Sequence, residues 1–503
     1  MRKLASVAIT LVVFFFCAGT SIGFSKKPTE ALSRTFAHYI RGVLYDSQNK
    51  IDRAIEEYLN ALALDSTAPA IHQRLAIDYI RSGQYEKAEE ELLIVKKLKP
   101  RDKGTRIILA HFYTAQEKFT EAAAVYEELQ KAYPSDLEIL ASLADLYVIQ
   151  EKEEEAISIY QQLLKQKPDS AQIHFNLGTI FVKVNKFKEA ETHFKKALKI
   201  SPDYLQAELA LGLLSEINQN LPEAIEHYQK ALEVDPLNIN VYRRLAQTYY
   251  RDKRIEEAVR QYKFILKLNP YDVDTYLELA YIYLNEEKAG QCIKILEEAE
   301  QHKANWRIPA AKEARFYLIL GLAYTRNSQE QKAVEAYEKS IAAAPESGVG
   351  YFYLGAAHEQ GGRRQKAYEA LKRSVELDGE NPDALNYLGY IYAEDGIMLD
   401  EAQELINKAL EIDPGNGAYI DSLGWVYFKK GMIDDALAQI EKAAGLLEDA
   451  EVFEHLGDVY QAKGDIERAR GAYERALGLE PERKSAQERL EKLRPGNPIN
   501  ASR

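Results

Sequence analysis

"AQIHFNLGTIFVKVNKFKEAETHFKKALKISP", residues 171–202, holds two apolar runs with a polar break between them, and it closes on a proline. Ile173, Leu177, Ile180 and Phe181 stand three, four and seven residues apart, as do Phe187, Ala190, Phe194 and Ala197 after the break. Such steps line up side chains on one face of a helix, so the stretch predicts two helices folded back on each other. Asn185 in the break tolerates the left-handed backbone that ends a first helix. Pro202 stops the second, because it has no amide hydrogen and forces its predecessor out of helical geometry.

The same pattern fills most of the 503-residue chain. Pro100, Pro134, Pro168, Pro202, Pro236 and Pro270 follow one another at intervals of 34 residues without slippage. Units aligned on these prolines carry alanine at their twentieth place, from Ala54, Ala88 and Ala122 through to Ala436 and Ala469, except the eighth unit, which has Cys292. The seventh and eighth places read Leu-Gly or Leu-Ala in most units, for example Leu177-Gly178 and Leu245-Ala246. The eleventh is usually tyrosine, for example Tyr45, Tyr113 and Tyr460. Small residues at places eight and twenty let two helices approach closely, and Cys292 fits there as a small hydrophobe rather than as a nucleophile. A period of this length means that each unit packs on its neighbours, so the chain length does not set a number of globular domains.

Units such as the one quoted and "AEVFEHLGDVYQAKGDIERARGAYERALGLEP", residues 450–481, resemble the tetratricopeptide repeat family over about residues 35 to 481. That resemblance implies an all-α fold, a right-handed superhelical solenoid of about thirteen helix-turn-helix units. The expected organisation is units 1–8 over 35–304, an insertion over 305–313 that carries Trp306, units 9–13 over 314–481, a capping helix over 482–494 and a disordered tail over 495–503. The eleventh unit gains one residue in "LGYIYAEDGIMLDEA", and Glu448 stands where the twelfth would close on proline.

The net charge of −13 repels a phosphate backbone, so the chain is not expected to bind nucleic acid. At the N-terminus, Arg2 and Lys3 precede an apolar run from Leu4 to about Ala18, and Ser21 and Gly23 supply the small residues of a cleavage site. This is the layout of a secretory signal peptide over residues 1–23. The alternatives are membrane attachment through an uncleaved N-terminus, since Leu4 to Phe24 is long enough to cross a bilayer, and lipid modification at Cys17. Each places the rest of the chain outside the cytoplasm, in the periplasm or on the periplasmic face of a membrane.

No phosphate loop, nucleophile elbow or His-Glu-x-x-His motif occurs, and the nine histidines are scattered. The chain is therefore expected to be no enzyme and to hold no cofactor and no metal. In the family the first helix of each unit lines a concave groove, so places two, five, nine and twelve face a ligand. Here these include Tyr281, Phe352, Asn386, Tyr390, Asp421, Trp425 and Phe428, aromatic anchors among polar groups of the kind found in binding hot spots. Packing between units is the competing role for these rings. Arg243, Arg244 and Gln247 form a local basic patch, though they do not match the family's carboxylate clamp. The residues over 385–431 are similar to bacterial cell-envelope members of the family, which implies a scaffold for outer-membrane protein assembly, pilus biogenesis or polysaccharide export. The expected partners are proteins, as peptide segments or domains. The alternative is a carbohydrate-binding component whose aromatics stack on polysaccharide.

Overall fold

A computed structural model describes residues 30–493; the expected signal peptide, Cys17 and the tail from 495 lie outside them. The described residues form 27 α-helices and no strand. They fall into two compact units, one ending at Arg254 and one beginning at Ile255. The first holds α1 (Glu30–Ser47) to α13 (Ile239–Arg251), and the second α14 (Ile255–Leu268) to α27 (Lys484–Lys492).

The quoted stretch forms α9 (Ala171–Lys183) and α10 (Phe187–Ile200), with Asn185 left-handed at φ 58°. The turn closes when the Lys186 N–H donates to the Phe181 carbonyl at 2.8 Å, the bond that satisfies an orphan carbonyl at a helix end. The equivalent bond recurs along the chain, as from Lys118 N–H to Tyr113 O and from Asp465 N–H to Tyr460 O, both 2.9 Å. Glycine occupies the left-handed position at Gly83, Gly431 and Gly464, but Glu117, Glu151 and Lys253 occupy it in other units. The repeated hydrogen bond imposes the conformation even on residues that carry a Cβ.

The junction between pairs is equally regular. Two residues after the closing proline stands an N-cap: Asp102 accepts from Thr105 N–H, Ser170 from Ile173 N–H and Asp272 from Thr275 N–H. Proline and cap together stop one helix and start the next within four residues, which fixes the angle of each turn.

Close approach within a pair depends on the eighth place. A Cβ on Gly178 would lie 2.5 Å from Cε1 of Phe194, which is buried on α10. The ring belongs to a column at the twenty-fourth place that includes Tyr58, Tyr126, Tyr160, Tyr228, Tyr262 and Tyr473, all buried. Sequence reading emphasised the eleventh-place tyrosines and passed over this column, although it is the deeper of the two. Alanine serves at the eighth place of other units, such as Ala76, whose pair carries Leu92 at the twenty-fourth.

Cys292 is buried on α16 (Ala289–Gln301), and burial pushes its thiol up to about 12. It stays protonated at neutral pH, as a packing residue does. The inserted residues form a short 3₁₀ turn, Lys303–Asn305, and then lengthen the following helix, α17 (Ala310–Arg326), to 17 residues. Trp306 anchors the detour with its ring 4.7 Å from that of buried Phe316. In the eleventh unit the extra residue is absorbed by a second left-handed position, Met398, after Gly396. At the C-terminal end, α27 buries Ala486 while Gln487 and Glu488 stay in solvent.

Candidate functional site

The expected site residues separate between the two compact units. Arg243 and Gln247 are half-buried and Arg244 is exposed on α13 in the first unit. Their neighbour Arg251 is committed to an ion pair with Glu216 at 2.9 Å, which neutralises part of the basic patch.

The rest belong to the second unit. Tyr281 on α15 (Val273–Asn285) is 51% exposed, and Phe352 on α19 (Gly348–Gln360) is half-buried with its ring 6.1 Å from that of Tyr387. The remaining five lie on two first helices, α21 (Pro382–Glu394) and α23 (Gly417–Lys429). Asn386, Tyr390 and Phe428 are half-buried, while Asp421 and Trp425 belong to the interior.

Trp425 is only 4% exposed. His455, on α25 (Ala450–Ala462), stacks on the indole at 3.9 Å and 15°, and Phe428 lies 4.9 Å from it at 14°. The indole N–H donates to Glu394 Oε1 at 3.2 Å, and the Lys429 ammonium sits 4.9 Å from the ring centroid while donating to the Glu394 carbonyl. A ring so enclosed is a packing residue, and no sugar could stack on it without displacing its neighbours. The physical reason is that His455, one turn of the repeat further on, supplies the flat partner that sequence reading assigned to a ligand.

His455 also closes a polar interaction. Its Nδ1–H donates to Asp421 Oδ2 at 2.8 Å, with both side chains buried. Burial opposes a charge on this imidazole, but the Asp421 carboxylate and its hydrogen bond outweigh that, with Glu451 and Asp458 adding to them, so its pKa is raised. Its ring lies flat on the indole, a geometry in which a charge on the imidazole would meet the π face. Tyr390 O–H donates to Glu451, and Arg489 on α27 pairs with Glu454 and, at 2.9 Å, with Asp458. Asn386, Asp421, His455 and Arg489 hold equivalent places on α21, α23, α25 and α27, a sequence column at intervals of 35, 34 and 34, within which Asp421 and His455 are hydrogen-bonded. Sequence reading stopped at Asp421 and missed the last two, although the interval alone picks them out.

The carboxamide oxygen of Asn386 and Oδ1 of Asp421 are buried without a hydrogen-bond partner among the described residues. No group of three or more potential metal ligands occurs among those residues, and none of their helices is long and apolar enough to cross a membrane.

Comparison with known proteins bears on the whole chain. Profiles described as tetratricopeptide repeat match residues 37–67, 74–136, 113–177, 171–349 and 352–417, and a tetratricopeptide repeat-like domain profile matches 422–494. No curated protein matches. Among solved structures, the chain is similar to one in the APC/C hetero-tetramer Cut9-Hcn1, at 18% identity over 92% of this chain and 97% of that one, with a TM-score of 0.42. It is similar to a chain of Naa15/Naa10 bound to HypK-THB, at 16% identity over 93% and 79%, with a TM-score of 0.38. A MamA protein shares 26% identity over 34% of this chain and 89% of its own, with a TM-score of 0.29. With the repeat profiles distributed from residue 37 to residue 494 and the helices paired as the 34-residue period requires, the chain belongs to the tetratricopeptide repeat family.

Proposed function

We propose that this protein is a non-catalytic scaffold of the bacterial cell envelope, exported by its N-terminal apolar run, and that it holds partner polypeptide segments against the first-helix face of its second compact unit. Membership of the repeat family supports a role in protein–protein interaction. The envelope setting rests on Arg2, Lys3 and the apolar residues from Leu4 onward.

The column that begins at Asn386 and Asp421 carries the choice of face. An unmatched buried acceptor costs on the order of 1–3 kcal/mol, and two of them on adjacent first helices are a cost that packing does not explain. Apolar side chains would pack there without it. Half-buried Phe352, Tyr390 and Phe428 in the same unit supply aromatic surface for a bound segment.

The test is to replace Asn386 by Leu and to compare thermal stability with affinity capture from crosslinked envelopes. Stability should hold or rise while a defined set of captured proteins is lost. Unchanged capture with raised stability would show that the column is a packing defect and not a recognition surface. Envelope fractionation of the unmodified chain checks the setting, and recovery in the cytoplasm alone would remove it.

A further inference from the structure

Asp78 breaks the repeat on α3 (Pro69–Arg81). It holds the tenth place of its unit, where Phe112, Leu146, Ile180 and Leu214 bury apolar side chains, and it is itself fully buried. A carboxyl group in that position must be neutral or fully hydrogen-bonded. Arg81 donates to its Oδ1 at 3.1 Å, but Oδ2 is buried with no hydrogen-bond partner among the described residues. The surrounding groups come from each element packed there. From α1 comes Asp46, whose carboxylate Arg81 also grips and Arg74 approaches at 3.6 Å. From α2 (Ile51–Leu64) comes Tyr58, whose buried hydroxyl is likewise unmatched, and the turn between them supplies Asn49, which accepts from Arg81 at 2.8 Å. On α4 (Tyr85–Leu98), Glu89 pairs with Lys118, Glu91 with His72 and Lys96 with Glu128, so none of these serves Asp78.

The junction of the sixth and seventh units is built of the same parts and serves as an internal control. Glu216 holds the place of Asp46, Tyr228 that of Tyr58, Arg244 that of Arg74 and Arg251 that of Arg81. The tenth place there is Thr248, fully buried, whose hydroxyl lies 3.0 Å from Glu216 Oε1 and 2.8 Å from the Arg244 carbonyl. Tyr228 donates to the same Oε1 at 2.7 Å, and Arg251 to Oε2 at 2.9 Å. A hydroxyl brings its own proton to a carboxylate. Asp78 fills the same role only as the neutral acid, with its proton on Oδ2. Burial and the charge of Asp46, with a hydrogen bond between the two carboxyl groups, raise Asp78 to about 7 against the pull of Arg81.

We propose that the junction between the first helical pair and α3 is a proton-held latch: one proton shared by Asp78 and Asp46 keeps the α1–α2 pair docked, and its loss lets that pair swing away. An undocked Asp78 ionises at about 4 and the docked one at about 7. The latch is therefore closed in acid, weakens as pH rises between those values and stays weak above them. Thr248 has no such proton to lose, so the junction of the sixth and seventh units is the reference within the same molecule.

The experiment is hydrogen exchange of the full chain at about pH 5 and about pH 8, for wild type and for Asp78→Thr, the residue that the seventh unit uses. Protection factors of α1 and α2 amides are compared with those of α11 (Leu205–Ile217) and α12 (Leu221–Val234). With rising pH, protection of α1 and α2 should fall by roughly tenfold to a hundredfold in wild type, and hardly at all in the variant. Wild-type protection that does not fall overturns the proposal. So does an equal fall in the variant, which would assign the effect to His38 or His72, both kept there. If Asp78→Thr fails to fold, Asp78→Asn decides, because a carboxamide also brings its own hydrogen to Asp46. That variant should keep its α1 and α2 protection at the higher pH, and a fall as large as the wild type's refutes the latch.

Discussion

Acid should loosen the fifth helical pair, and one substitution should cure it. His174 on α9 donates from Nε2–H to the Pro168 carbonyl at 3.2 Å, which leaves its Nδ1 to accept from Nδ1–H of His193 on α10 at 2.9 Å. Burial, the facing imidazole and then Lys196 together push His193 down from 6.5 to about 4, and burial lowers His174 in the same direction. The folded pair therefore favours neutral rings. As pH falls through 6.5 the unfolded chain takes up the proton first, so stability is complete above 6.5 and is lost progressively toward pH 4. The shift to about 4 amounts to ~2 kcal/mol at about pH 5 by linkage, and to ~1 kcal/mol once solvent screening at this partly exposed ring is counted. Two other pairs show the remedy at the same places: His38 faces Glu57 at 2.7 Å, and His72 faces Glu91. His193→Glu should convert the fifth pair to that arrangement and abolish its share of the acid loss. The assay is hydrogen exchange of α9 and α10 amides, with urea denaturation, at about pH 7.5 and about pH 5. If wild type and variant lose the same stability between those conditions, the histidine pair is not the cause and the reasoning fails.

Three further outcomes follow from the packing. Gly178→Ala should destabilise by about 1–3 kcal/mol, because its Cβ meets the Phe194 ring; adding Phe194→Leu should restore most of this, since Ala and Leu already serve at Ala76 and Leu92, and denaturation that shows no rescue would contradict the close-contact account. Trp425→Ala should cost roughly 3–5 kcal/mol and speed exchange of α23 and α25 amides, whereas Phe428→Ala, at the half-buried edge of the same stack, should cost less than half of that; equal costs would count against the buried placement of the indole. Cys292 should resist iodoacetamide in the folded protein at mildly alkaline pH and react once urea opens the chain; rapid native alkylation, read by mass spectrometry, would mean that the thiol is neither buried nor held up to about 12.

The 34-residue interval of prolines, with small residues at places eight and twenty, sets the helix pairs, their turns and their stops before any contact is known. These are local or nearest-neighbour effects: a missing amide hydrogen, a left-handed turn residue, a cap two residues past proline. The fate of a surface position is different, because it depends on what the next unit brings. Trp425 read as an anchor for a partner until His455 covered it, and nothing within α23 indicates that. The column from Asn386 to Arg489 was legible in principle, since its spacing is the repeat itself, yet its charges and unmatched acceptors gain meaning only once burial removes water from them.

The sequence by itself determined a family and a fold, because repeated helix pairs are specified by steric rules that act within some forty residues. Tertiary structure alone decided which side chains are packing and which are surface. It buried Trp425 and Asp421, brought His174 against His193, and left Phe36, Ile40 and Leu44 in solvent on α1. Burial is set by neighbours distant in the chain, and the cost of removing a ring or a carboxylate from water depends on them and not on the residue's own identity.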